Sequence, residues 1–234
     1  MPLSPKTGLA LAALAALGLA AARPAAAQTI DTLSAQSNDV GVFGPTHTPT
    51  YGQTIISPIT GSLLDFTFNV QNDGGNPITA DAEVYAYNSA TNKASGPALS
   101  QSAPFTLAAN NTFTLVTAPS GAAVTAGSEY VLLFTTSGLQ SGQPYSFALF
   151  GSSPKASYPS GAFVYMNNGD DHSQLTSSAF RPYILAPNLA FKANFVPVPA
   201  VPEASTTASL GLLLALGMGG LVVAARRKKA GAAL

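Results

Sequence analysis

No cysteine occurs among the 234 residues, so no disulfide braces this chain, and thiol nucleophiles and thiolate metal sites are excluded. Tryptophan is absent too, and only two histidines are present, His47 and His172. A nucleophile–histidine–carboxylate catalyst would have to use one of them. Asp171, His172 and Ser173 place the three side-chain types side by side. Sequence neighbours on a strand or tight turn point apart, however, which argues against a triad, and no Gly-x-Ser-x-Gly elbow occurs. Charge is the third shortage, at 9% of residues. Much of the positive charge sits at the ends, on Lys6, Arg23, Arg226, Arg227, Lys228 and Lys229. Between residues 28 and 196, Lys93, Lys155, Arg181 and Lys192 stand against nine acidic residues. A mildly acidic domain without a basic patch cannot neutralise phosphates, so nucleic acid is excluded as a partner.

What is there begins with two apolar ends. Lys6 precedes an Ala/Leu-rich stretch over 9–22, and Ala25, Ala26 and Ala27 follow as small residues. This is the pattern of a removable signal peptide over 1–27, cut by signal peptidase between Ala27 and Gln28. No twin-Arg pair precedes the stretch, which points to general secretion. At the other end, 206–225 reads as a transmembrane helix. Its uncharged run over 208–225 reaches about 27 Å as a helix, enough for a bilayer's hydrocarbon core. The basic tail over 226–234, with Arg226, Arg227, Lys228 and Lys229, stays cytoplasmic by the positive-inside rule. The body of the protein then lies on the far side of the inner membrane. Prolines at 197, 199 and 202 make 197–205 a stiff linker.

The sequence Val201-Pro202-Glu203-Ala204-Ser205, followed by the apolar run and the basic cluster, resembles the PEP-CTERM sorting signal of exopolysaccharide-producing Gram-negative bacteria. Ala204 stands where that box has its second proline. The resemblance implies a membrane-embedded exosortase-like transpeptidase that recognises the tail and cleaves near the box. The helix would then be an inner-membrane intermediate, and the mature protein would reach the cell surface or extracellular matrix. The plain alternative is a single-span anchor that stays in place.

The middle, 28–196, is long enough for one domain with a real core. It is rich in Thr, Ser, Val, Phe, Tyr, Gly and Pro and has no helical periodicity of any length. Leu64, Phe66, Phe68 and Val70 alternate with polar residues, the period of a half-buried strand. Residues 72–77, NDGGNP, supply turn chemistry, and 81–87 alternate again. Further strands are expected over 112–116, 130–135, 145–149, 162–166 and 189–195, the last with Leu189, Phe191, Ala193 and Phe195 on one face. Short strands between Gly/Pro/Asn loops predict an all-β antiparallel sandwich or jelly roll, with a closed barrel as the alternative. The stretches 127–133 (GSEYVLL), 163–171 (FVYMNNGDD) and 189–195 (LAFKANF) look similar to sandwich domains often carried by PEP-CTERM proteins, which implies a fold and an address rather than an activity.

Three groupings are candidates for chemistry. Asp81 and Glu83, two apart on a strand, share one face about 7 Å apart, a spacing that suits a glycosidase pair. The position two further on, which carries a third acid in some such enzymes, is Tyr85. With Tyr85 and Tyr87 the same face reads as a polar and aromatic strip on a solvated sheet surface, of the kind that binds sugars, and Tyr158, Tyr165 and Tyr183 extend it. Asn167, Asn168, Asp170 and Asp171 around Gly169 form an oxygen-rich loop of the type that holds Ca²⁺, without the spacing of an EF-hand. The functional expectation is a non-enzymatic structural or adhesive role with exopolysaccharide. The alternatives are a carbohydrate-binding module and a glycan-acting hydrolase.

Overall fold

The structure, a computed structural model, describes residues 26–198. Most of the expected signal peptide, the 201–205 box, the 206–225 helix and the basic tail lie outside those residues. Among the described residues no helix is long and apolar enough to cross a membrane.

Among the described residues, fourteen strands form two antiparallel sheets packed face to face as a sandwich. In chain order the strands are β1 (Gln28–Asp31), β2 (Asn38–Phe43), β3 (Thr50–Ile56), β4 (Gly61–Asn72), β5 (Ile78–Asn88), β6 (Lys93–Gln101), β7 (Phe105–Leu107), β8 (Thr114–Val124), β9 (Glu129–Thr135), β10 (Ala148–Ser153), β11 (Phe163–Met166), β12 (Arg181–Pro182), β13 (Asn188–Leu189) and β14 (Phe191–Pro197). One four-residue α-helix, α1 (Gln174–Ser177), interrupts them. The first sheet runs β1-β14-β4-β10-β13, with β8 also on β4 and β2 also on β10. The second runs β12-β11-β3-β9-β5-β6, with β7 also on β5.

Alternation builds the interior. Phe66, Phe68 and Val70 of β4, with Phe191, Ala193 and Phe195 beside them on β14, face Ile78, Ala80, Ala82 and Val84 of β5 and Leu132 and Phe134 of β9. A polar tie crosses the same layer. Gln53 of β3 is fully buried, accepts from Leu189 N at 2.8 Å and donates to Asn188 Oδ1 at 3.1 Å, which joins the two sheets without leaving its amide unsatisfied.

Leu64 departs from its expected place with Phe66. Where β4 pairs with β14, Asn194 lies opposite Asp65 and the next residue, Phe195, lies opposite Leu63, so Leu64 is an extra residue on β4. The extra residue of such a bulge turns side chains over. Leu63 is therefore fully buried and Leu64 is 45% exposed. Two further boundaries move: β8 starts at Thr114, and Tyr145 lies in the loop ahead of β10. Pro197, expected to open the linker, is the last residue of β14.

Candidate functional site

The strip on β5 is not a solvated surface. Asp81, Glu83, Tyr85 and Tyr87 do share the outer face of the second sheet, but all four are buried. The segment 167–180 lies over them. Its Leu175 and Phe180 pack with Tyr85, Tyr87, Val131, Leu133, Val164 and Met166 in a second apolar cluster. The cover is fastened along its length. Phe180 N donates to Asn92 O at 2.7 Å and Lys93 Nζ donates to Ser177 O at 3.0 Å. Asp170 Oδ1 accepts from the backbone of Gly138 at 2.8 Å and of Gln140 at 3.0 Å. Four side chains sealed in this way offer no stacking platform and no open acid pair.

His172 makes the central fastening, 89 positions along the chain from its partner. Its Nε2 lies 2.6 Å from Glu83 Oε1, with Glu83 fully buried and the imidazole 39% exposed. The Tyr85 hydroxyl donates to the other Glu83 oxygen. Gln101 Nε2 donates to Asp81 Oδ2 at 3.0 Å and to Glu83 Oε1 at 3.3 Å. Burial, and then the hydrogen bond to Glu83, push the Tyr85 phenol well above its usual range; burial lifts Tyr87 to about 12. Burial also raises the Asp81 carboxyl, helped by the charge of Glu83 and opposed by the Gln101 hydrogen bond. The other oxygen of Asp81, Oδ1, has no hydrogen-bond partner among the described residues. Sequence alone makes His172 a loop residue facing solvent, since nothing local marks a contact made across the fold.

The two carboxylates of the oxygen-rich loop serve different turns. Asp170 caps the 138–140 turn, whereas Asp171 Oδ1 accepts from Ser173 N at 3.1 Å and Ser173 Oγ at 2.6 Å. The Ser173 hydroxyl, followed by Gln174, holds the Asp171 carboxyl below the usual range. Asn168 is buried and accepts from Thr50 Oγ1 at 3.0 Å, while Asn167 is exposed. Among the described residues no three His, Asp or Glu side chains come together as a metal set. Both carboxylates of the loop serve as turn caps.

Two open grooves lie on the flank where β6 and β7 meet β8. One, of about 530 Å³, is lined by Gln101, Pro104, Phe105, Thr117, Pro119 and Ser120 among others. The other, of about 290 Å³, has Asn72, Leu107, Asn110 and Thr114 in its wall. Neither lining contains an ionisable side chain, and Gln101 stands between the larger groove and the sealed carboxylates. The remaining tyrosines of the expected strip go elsewhere. Tyr158 packs its ring on Phe191 and accepts from Ile56 N at 2.9 Å. Tyr165 and Tyr183 meet each other edge to face, half-buried against the main core.

No protein-family model and no functionally curated protein matches this chain. Among solved structures it is similar to the cysteine protease and lectin-like domains of a surface-layer-associated protein of Clostridium difficile, with 12% identity and a TM-score of 0.42 over 76% of this chain. It is also similar to a structure of infectious bursal disease virus, Gx strain, with 16% identity and a TM-score of 0.26 over 85% of this chain. The chain spans 37% of the length of the first of these and 50% of the second. Likenesses this distant carry no argument about what the chain binds or does.

Proposed function

We propose that this chain is an exported β-sandwich that serves a structural or adhesive role in an exopolysaccharide matrix, without chemistry of its own. Signal peptidase removes 1–27. The 206–225 helix holds the chain in the inner membrane until an exosortase-like transpeptidase acts near Val201–Ser205, and the sandwich then passes to the cell surface or matrix. The observation that carries the non-catalytic reading is the contrast between the carboxylates and the grooves. Asp81 and Glu83 are sealed beneath 167–180, whereas the two open grooves are walled by apolar, hydroxyl and amide groups alone. Such walls suit uncharged, hydroxyl-rich chains. A glycosidase needs its two carboxyl groups open on either side of a glycosidic bond.

Fractionation of native cells with mass spectrometry of the C-terminal peptide tests the address. The expected result is a C-terminus between residues 202 and 205, in the envelope or matrix fraction. An intact Leu234 in the inner membrane would make the protein a tethered periplasmic domain and end the matrix reading.

A further inference from the structure

All 12 phenylalanines and 8 tyrosines fall within the described residues, and Tyr145 alone among them is exposed, at 59%. An exposed aromatic is ordinarily a loose side chain on a loose loop. This one is held. Its hydroxyl lies 3.1 Å from His47 Nε2, and the two rings meet edge to face at 5.2 Å. Phe147 meets the same imidazole edge to face at 5.9 Å. The backbone beneath is stitched to the 73–77 turn: Asn76 Nδ2 donates to Tyr145 O at 3.0 Å, Ser146 Oγ donates to Asn76 O at 2.6 Å, and Gly74 N donates to Phe147 O at 3.0 Å. Gly74 has to be glycine, because a Cβ there would run into the Phe147 backbone nitrogen. Asp73 and Asn76 on the same turn are exposed.

A rigid tyrosine ring open to water, beside exposed amide and carboxylate oxygens, has the chemistry that recognises a pyranose. The ring stacks on sugar C–H groups, the polar neighbours bond to hydroxyls, and pre-organisation reduces the entropy lost on binding. We propose that Tyr145, supported by His47 and the 73–77 turn, is the contact point of this sandwich for a sugar ring of an extracellular polysaccharide. This rests on the polysaccharide reading above and assigns it a site at one end of the sandwich, away from the sealed β5 strip.

Because the chain has no tryptophan, Tyr145→Trp creates a single fluorescent reporter at the site. The probe is polysaccharide extracted from the native cells' own matrix, added to the purified full chain. Stacking should shift the emission of the introduced indole to shorter wavelength in a saturable way. In co-sedimentation with the same polysaccharide, Tyr145→Ala should bind about tenfold more weakly than the unaltered chain. Tyr145→Phe, which keeps the ring but loses the hydroxyl's bond to His47, should fall between the two. Equal binding by the Ala variant, or an emission spectrum that ignores saturating polysaccharide, overturns this site and leaves the general reading standing. No binding by the unaltered chain overturns both.

Discussion

The layer between the two sheets and the layer outside the second sheet both bury aromatic and aliphatic side chains, but different forces hold them. Between the sheets, rings meet rings. Phe134 packs against Phe66, Phe68, Phe105 and Phe150 at centroid distances of 5.0–6.0 Å, with strands contributing from both sides. Outside the second sheet, one largely irregular segment supplies Leu175 and Phe180, and beneath it lie two carboxylates that alternation alone would have left in water. An interior can be made by period-two patterning. A thin cover over ionisable residues has to be fastened by hydrogen bonds from distant parts of the chain, and His172 with Glu83 is the clearest of these.

The comparison breaks or holds first on core truncations. Phe134→Ala should cost about 3–5 kcal/mol, the range for a large ring removed from a packed core, read as a shift in the cooperative urea transition of the whole domain. Leu175→Ala should cost about 2–5 kcal/mol by the same rule, yet be felt locally. Amide exchange should speed up across 167–180 while β4 and β14 stay protected. If Leu175→Ala instead loosens β4 and β14 equally, the two layers are one cooperative unit and the distinction fails.

A smaller effect tests the fastening itself. Glu83→Ala leaves the Tyr85 hydroxyl and His172 Nε2 without their partner and Gln101 with Asp81 alone, at a cost of about 1–3 kcal/mol. Glu83→Gln retains an acceptor for the tyrosine and should cost less. Urea titration of the two variants side by side decides it. Equal stabilities would mean that the buried carboxylate contributes only bulk.

Acidity separates the cover from the inner layer more finely. Because burial raises the Asp81 carboxyl, the folded state holds that proton above the pH at which the unfolded chain releases it. Stability from this group therefore falls as pH rises from the ordinary carboxylate value through the raised one. Asp171 has the opposite sign: its carboxyl is held down by Ser173, so its contribution is present above the ordinary value and lost as pH drops through the lowered one. Asp81→Asn should flatten the first slope in thermal unfolding measured between about pH 3 and 6. An unchanged slope would show that Asp81 has no such role. Tyr51, the inner-layer phenol that burial lifts, lies far above that window.

Those two layers also differ in how well the sequence foretells them. The faces of β5, of β14 and of β4 from Phe66 onward follow from alternation, and Leu189, Phe191, Ala193 and Phe195 do share the buried face expected of them. The cover is not legible in this way. Asp81, Glu83, Tyr85 and Tyr87 lie on one face as the spacing requires, but whether water or another segment meets that face depends on where 167–180 travels, which no local pattern encodes. His172 is likewise identifiable only from its partner across the fold. Tyr145 looks like a strand residue because its neighbours alternate; the hydrogen bonds that hold it in a loop come from the 73–77 turn and the His47 loop.

The bulge in β4 gives the smallest effect and the sharpest check on the patterning argument. By alternation alone Leu64 belongs with Phe66, and its truncation should empty a core site. The extra residue that β4 carries opposite β14 moves the core site one residue back, to Leu63. Leu64→Ala should therefore change stability by no more than about 0.5 kcal/mol, as for an ordinary surface position, while Leu63→Ala should fall in the core range of about 2–5 kcal/mol. Reversed values would put Leu64 inside and remove the bulge. Near-equal values would mean that β4 slips between two registers, since a one-residue shift is all that separates the two faces of a strand.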